Sequence, residues 1–435
     1  MAGRQQSTAA VEAPASREKR FRNVTGTLRK RNFRLFWIGE TTSQIGSSLS
    51  SVVLPLVGVR VLHAGTFAVA LLTGAASLPW LLFGLPAGAW VDRFPKRMVM
   101  MICDLISLIL FAGIAICAWL GVLTLAQLLT AALLAGLVSV FFKAAFQAYI
   151  PQLLQKDELV DGNAKLQASA AFATVSGPGI GGVVAQVLGM ATGVMLNAAS
   201  FAVSAVCLLA ARPAVPDSMS SRPKRELGKE IRDGLSFLLR DPYLLPLAAF
   251  TSTLSLGISS TDSLMIIFYV RVLGVTPSVT GIILGLMGAG GLFGAVISAR
   301  LVRRYGSARG MLICRILLTF ALLFPLTTRG IGLIFSAGWF VVTAGIISGN
   351  VISLSFRQAR CPARMLGRIS ASYYTMTYSS LALGAIFGGA LGTLIGVRPA
   401  LWVTCGIVAS ASVILFFSPI RRLTDLPQSA ELTES

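Results

Sequence analysis

LISLILFAGIAICAWLGVLTLAQLLTAALLAGLVSVFF, residues 105–142, contains no Asp, Glu, Lys or Arg. A bilayer core about 30 Å thick takes about 20 helical residues, so these 38 residues are too long for one span and suit two. Gly121 punctuates the run and marks the turn of a transmembrane hairpin. A second charge-free stretch, the 46 residues of 166–211, reads as another hairpin that turns around Gly189 to Gly193.

Working outward from these hairpins gives twelve spans, at about 33–59, 67–91, 98–120, 123–142, 166–188, 192–211, 244–270, 279–302, 311–326, 331–356, 369–395 and 399–417. The expected organisation is a basic arm over 1–32, a six-helix half over 33–211 and a polar linker over 212–242. A second six-helix half over 243–420 and a tail over 421–435 complete it. Composition agrees, because 55% of the 435 residues are hydrophobic and only 12% are charged, where a soluble chain carries about 25%. The composition argues against a water-soluble globular enzyme.

The chain's net charge of +20 has a location. With the N-terminus inside, 33 of the 37 Lys and Arg residues fall on the cytoplasmic side, and only Arg60, Arg271, Arg329 and Arg398 fall outside. Cytoplasmic loops retain basic residues, so both termini are expected in the cytoplasm of a multi-pass protein of the cell membrane. The charge is then explained without nucleic acid, and the basic arm from Arg17 to Arg34 is expected to lie on anionic lipid. The six cysteines form no close pair, and His63 is the one histidine, so neither a metal centre nor a cofactor is expected.

Internal duplication is the next signal. Gly177, Gly181, Gly182 and Gly189 align with Gly384, Gly388, Gly389 and Gly396 at an offset of 207, on the fifth span of each half. An offset of 211 pairs the loop Asp92, Arg93, Phe94, Pro95 with Arg303, Arg304, Tyr305, Gly306. Two homologous six-helix halves follow, and proteins built this way bind substrate between the halves near the midplane.

The stretch Gly88, Ala89, Trp90, Val91, Asp92, Arg93, Phe94, Pro95, Lys96, Arg97 resembles the signature between the second and third helices of the major facilitator superfamily. Gly177, Pro178, Gly181 and Gly182 resemble the core of its antiporter signature, with Ala173 in place of an upstream glycine. Residues 32–37, the run Leu85, Pro86, Ala87, Gly88 with Val91 to Arg93, and Gln147 to Pro151 resemble the bacterial efflux branch that includes enterobactin and macrolide exporters. The resemblance covers about Arg29 to Arg422. It implies an all-α fold of twelve transmembrane helices, a secondary transporter in place of an enzyme, and an export direction.

Candidate residues follow from chemistry. Asp92 ends a span beside a basic turn, where a carboxylate can accept from a helix N-terminus and pair with arginine, closing an inner gate against Gly367 and Arg368. Asp104, which matches an acid of the family, is read as a brace for that loop. Gly177, Gly181 and Gly182 let a neighbouring helix approach closely and Pro178 permits a kink; ordinary helix packing is the plainer reading of the same residues. Ionisable groups inside spans mark function, and two acids qualify. Glu40 shares a face with Gln44, Ser47 and Ser51, and Asp262 shares one with Thr251, Ser255 and Ser259. The two stripes are expected to face each other across a water-filled cavity. A structural acid paired with a cation is the competing reading for each. Asp262 is assigned the proton, and Glu40, nearer Arg34 and Lys30, is assigned attraction of cationic cargo. Lys143 is placed at the inner end of the fourth span. Tyr373, Tyr374 and Tyr378 on the eleventh span could stack an aromatic cargo, although membrane rings more often anchor or pack.

The combined reading is export of a small hydrophobic or amphipathic organic molecule, such as a drug, antibiotic or siderophore, by proton antiport and alternating access, with a single chain as the functional unit. Its partners are the cargo, protons and the lipid bilayer. Uptake or uniport of a metabolite on the same fold is the alternative.

Overall fold

The structure, a computed structural model, describes residues 27–91, 93–154, 158–211, 236–360 and 366–423. The first half holds α1 (Arg31–Arg60), α2 (Thr66–Val91), α3 (Lys96–Trp119), α4 (Leu125–Leu153), α5 (Leu159–Val187) and α6 (Met190–Ala210). The second holds α7 (Leu244–Ile267), α8 (Pro277–Tyr305), α9 (Ser307–Ile316), α10 (Ala337–Arg360), α11 (Leu366–Leu394) and α12 (Val397–Phe416). Twelve stretches are long and apolar enough to cross a membrane, and the described residues contain no strand.

Local chemistry sets the helix ends. Thr124 and Gln127 form a reciprocal capping box at the start of α4. The turn expected at Gly121 is present, with φ of 70°, a left-handed conformation that glycine adopts without steric cost. The fourth helix runs on to Leu153 and does not stop at residue 142. A charge-free window ends at Lys143, but the helix does not, because that side chain turns into an internal cavity. Two spans tighten or loosen their winding: α9 continues as a 3₁₀ helix over Leu317–Leu326, and α7 continues as a π-helix over Phe268–Val272.

The duplication seen in the sequence is present in the backbone. Gly189 and Gly396 precede α6 and α12 with φ, ψ of 89°, 156° and 87°, 157°. A Cβ at Gly181 would stand 2.7 Å from the carbonyl oxygen of Leu49 on α1, and one at Gly388 would stand 2.4 Å from that of Ser260 on α7. The next residue of each pair reaches across the halves: Gly182 lies against Pro277 and Gly281 of α8, and Gly389 against Ala70 and Phe67 of α2. So α5 meets α8 and α11 meets α2 by one repeated device.

The halves join at the end of the molecule that carries Arg60. There Leu56, Val57, Leu72 and Val194 share one core with Ile266, Ile267 and Val270. Arg271 crosses the same seam and donates to the carbonyls of Val59 (3.3 Å) and Ala64 (2.5 Å). Within the second half at this end, Arg398 donates to the carbonyl of Thr327 at 3.0 Å and Arg329 to that of Leu273. At the opposite end, which carries Arg97, the described cores are separate. Phe33, Phe36, Met100 and Tyr149 belong to one half, and Phe250, Met311, Phe356 and Leu238 to the other.

Candidate functional site

A cavity of about 390 Å³ lies between the halves. Part of its wall follows the repeat, because Ser51, Val52 and Pro55 of α1 and Asp262, Ser263 and Ile266 of α7 all line it, each pair at the offset of 211. The paired residues differ, and one difference introduces an ionisable group: Asp262 stands where the first half has Ser51. The Asp262 side chain is exposed within a protein that surrounds it, so it faces the cavity space. Pro178, Thr174, Trp339 and Thr343 complete much of the lining.

A second cavity, of about 400 Å³, lies mainly within the first half. Glu40, Gln44, Asp104 and Lys143 supply its polar wall, and Trp80, Phe111, Phe142, Phe201 and Tyr378 its aromatic one. The Gln44 amide donates to Glu40 Oε1 at 2.5 Å, while Glu40 Oε2 and Asp104 Oδ2 have no hydrogen-bond partner. Trp80 and Tyr378 stack across the two halves with centroids 4.5 Å apart and planes at 17°. Gln44 and Lys143 also line a third cavity, of about 320 Å³, with Gln147, Asn163 and Gln167, so these two side chains separate neighbouring spaces. Carboxylates facing a concave, aromatic wall can hold an amphipathic cation. Among the described residues no group of three His, Cys, Asp or Glu could hold a metal.

The two polar stripes do not face each other. Thr251 is bonded to Tyr373, and Ser259 donates to the Leu381 carbonyl at 2.7 Å, so that stripe is turned toward α11. Glu40 and Asp262 line different cavities, with only Ser51 of the first stripe reaching the second. The cation sharing Glu40's cavity is Lys143, since Lys30 pairs with Glu158 at 2.5 Å and Arg34 is exposed. Lys143 itself sits well inside the long α4 and not at its end. Asp104 faces that cavity too, and the loop is tied down by other means. Lys96 donates to the Val91 and Phe94 carbonyls, and Arg97 donates to those of Leu208 (2.7 Å) and Leu209 (2.6 Å) in the last turn of α6. Asp92 lies outside the described residues, and for Gly88, Gly367 and Arg368 only the helical backbone is described; Arg93 is exposed in the turn. Of the tyrosines, Tyr378 lines a cavity, Tyr373 packs inside the second half, and the side chain of Tyr374 lies outside the described residues.

Sequence reasoning missed Arg315 and Arg357, both buried in the second half. The signal was available: the 211 offset that pairs the two loops also pairs Asp104 with Arg315, the ninth residue of α3 and of α9.

Residues 24–433 match the transmembrane secretion effector family. An uncharacterized MFS-type transporter, y4rN of Sinorhizobium fredii, is 27% identical over 359 residues, covering 80% of this chain and 85% of the relative. The enterobactin exporter EntS of Escherichia coli is 23% identical over 372 residues, covering 83% and 85%. The crystal structure of the nucleoside transporter NupG superposes with a TM-score of 0.72 at 13% identity, covering 88% of this chain and 99% of that one.

Proposed function

Because the chain belongs to the transmembrane secretion effector family of major facilitator transporters, and is thus an integral membrane protein and not an enzyme, we propose that it exports a small hydrophobic or amphipathic organic molecule in exchange for protons. The observation that carries this reading is the cavity between the halves, with Asp262 as the one acid in its lining. Rocking of two six-helix halves about a midplane site alternates access to that site, and Asp262 is the ionisable group lining the cavity between the halves. A proton taken up there on one side and released on the other couples the gradient to the motion.

In this proposal the cargo occupies the aromatic cavity of the first half, where Glu40 and Asp104 favour cationic or amphipathic molecules. The family match and the exporter EntS among the relatives support the outward direction. The excess of basic residues at the Arg97 end supports a cytoplasmic location for that end and for both termini. The conformation described, joined at the Arg60 end and separate at the other, is then open to the cytoplasm and ready to load. Asp92 and Arg97 belong to the gate that closes the loading end, and a single chain carries out the cycle.

The test uses acid-loaded inside-out vesicles carrying the protein and a panel of drugs, antibiotics and siderophores. Cargo should trigger release of protons from the lumen, and Asp262→Asn should bind cargo without releasing them. If no compound moves protons, or if Asp262→Asn couples fully, the reading is wrong.

A further inference from the structure

Two buried carboxylate oxygens on different helices face one cavity and have no donor to accept from. Glu40 of α1 is 5% exposed and Asp104 of α3 is 1% exposed, and both line the aromatic cavity of the first half. Gln44 occupies Glu40 Oε1, and the Ser204 hydroxyl lies beside the Asp104 carboxyl. Glu40 Oε2 and Asp104 Oδ2 are left without a hydrogen-bond partner. The two carboxyls are near enough to act on each other electrostatically.

The cation that shares the cavity does not meet this need. Among the described residues Lys143 makes no ion pair with either acid, and its ammonium stands over the Phe146 ring, 5.8 Å from the centroid. With both acids ionised, two carboxylates stand against one ammonium, so the cavity matches one added positive charge. A buried acceptor is costly when no donor reaches it. One cation serves both oxygens if its nitrogen carries at least two N–H bonds, as a primary or secondary ammonium does. A quaternary ammonium brings the charge without a donor, and its methyl groups hold the nitrogen off oxygens that an N–H group would approach to about 2.8 Å. The opposite wall suits a flat apolar body. Phe111 and Phe201 stack there with centroids 5.7 Å apart and planes at 13°, and the cavity's volume of about 400 Å³ is that of a small-molecule site.

We propose that this cavity selects a primary or secondary amine carried on a flat aromatic body, with Glu40 and Asp104 accepting together from its ammonium group, and that it rejects permanent cations lacking N–H bonds. Asp104 is then a specificity-determining residue equal in weight to Glu40. The inference rests on the reading of this cavity as the cargo site and adds to it the kind of cation that fits.

Equilibrium binding of tritiated naphthylethylamine to the full chain in lipid nanodiscs tests it at neutral pH, with empty nanodiscs as the blank. Competitors are the unlabelled amine, its trimethylammonium derivative and naphthylethanol. The amine should bind saturably, and the other two should compete about tenfold or more less well. Glu40→Gln and Asp104→Asn should each weaken amine binding about tenfold and remove most of the preference over the trimethylammonium compound; either variant serves if the other does not fold. A trimethylammonium compound or alcohol that binds as tightly as the amine keeps the cavity as a cargo site and overturns the N–H requirement. A preference that persists unchanged in both variants overturns the roles of the two acids. Absence of binding by all three compounds overturns the proposal and removes the cavity as the cargo site as well.

Discussion

The two halves repeat each other's backbone and place their charges differently. Gly189 and Gly396 share one left-handed turn, and the glycines of α5 and α11 make the same approaches to α1 and α7. At the positions that matter chemically they diverge: Asp104 against Arg315, Glu40 against Thr251, and Ser51 against Asp262, each at an offset of 211. Close packing between helices leaves no freedom at a glycine whose missing Cβ is occupied by a neighbour's carbonyl. A side chain that faces a cavity meets no such constraint and is free to specialise. Structural symmetry therefore survives where backbones touch, and it is lost where they part.

That comparison can be broken most sharply at the cavity between the halves. Asp262→Ser would give the second half the residue that the first half has at the equivalent position, and uphill, gradient-driven transport should disappear, measured as cargo efflux against a concentration gradient. Ser51→Ala should leave it within about threefold, the size of a single surface-like substitution. Moving the acid by combining Ser51→Asp with Asp262→Ser should restore part of the coupling, because both positions face one space. Full activity of Asp262→Ser would show that the asymmetry is incidental.

A large effect is also expected where the halves meet. Gly182→Val places side-chain atoms where the Pro277 carbonyl oxygen is only 2.3 Å from an added Cβ. Overpacking of this kind costs about 1–3 kcal/mol, and transport should fall about tenfold while membrane insertion, read by glycerol-gradient and surface labelling, is unchanged. Gly389→Val meets the Cβ of Ala70 and not a carbonyl. Its loss should be the smaller of the two, and equal losses would remove the distinction between the repeated contacts.

Glu40→Gln tests the polarity of the first half. Losing a charge-assisted contact costs about 1.5–3 kcal/mol, so affinity for cationic cargo should drop by about tenfold or more in equilibrium binding, with neutral cargo little affected. Uniform weakening for both classes would mean that Glu40 shapes the cavity without selecting charge. The smallest effect is expected at Arg271. Removing its contacts to the Val59 and Ala64 carbonyls in Arg271→Ala should loosen the joined end, seen as a wider spin-label distance between the ends of α1 and α7 and a change in transport of about threefold or less. An unaltered distance distribution would leave the seam to apolar packing alone.

Much of the fold was legible because lipid demands long apolar helices and the chain supplies charge-free stretches such as 105–142. The same criterion failed at Lys143, where charge inside a cavity mimics the end of a span. It failed again at Arg315, a cation within a helix that was counted with the loop charges beside it. Asp262 could be found from sequence, since one acid in an apolar span is conspicuous. The assembly of Glu40, Asp104 and Lys143 could not, because it draws on α1, α3 and α4 and depends on how those helices are rotated. The facing of the two stripes was misjudged for that reason: helical spacing defines a face but does not say which neighbour the face meets.

The stack of Trp80 on Tyr378 has a spectroscopic consequence. These rings belong to opposite halves and overlap at the waist of the molecule, so a rotation of one half against the other slides indole over phenol. Stacked aromatic rings prefer an offset overlap, and near-ultraviolet circular dichroism responds to changes in that overlap. With only six tryptophans in the chain, Trp80 would serve as an internal optical gauge of the proposed rocking motion, readable without any attached label.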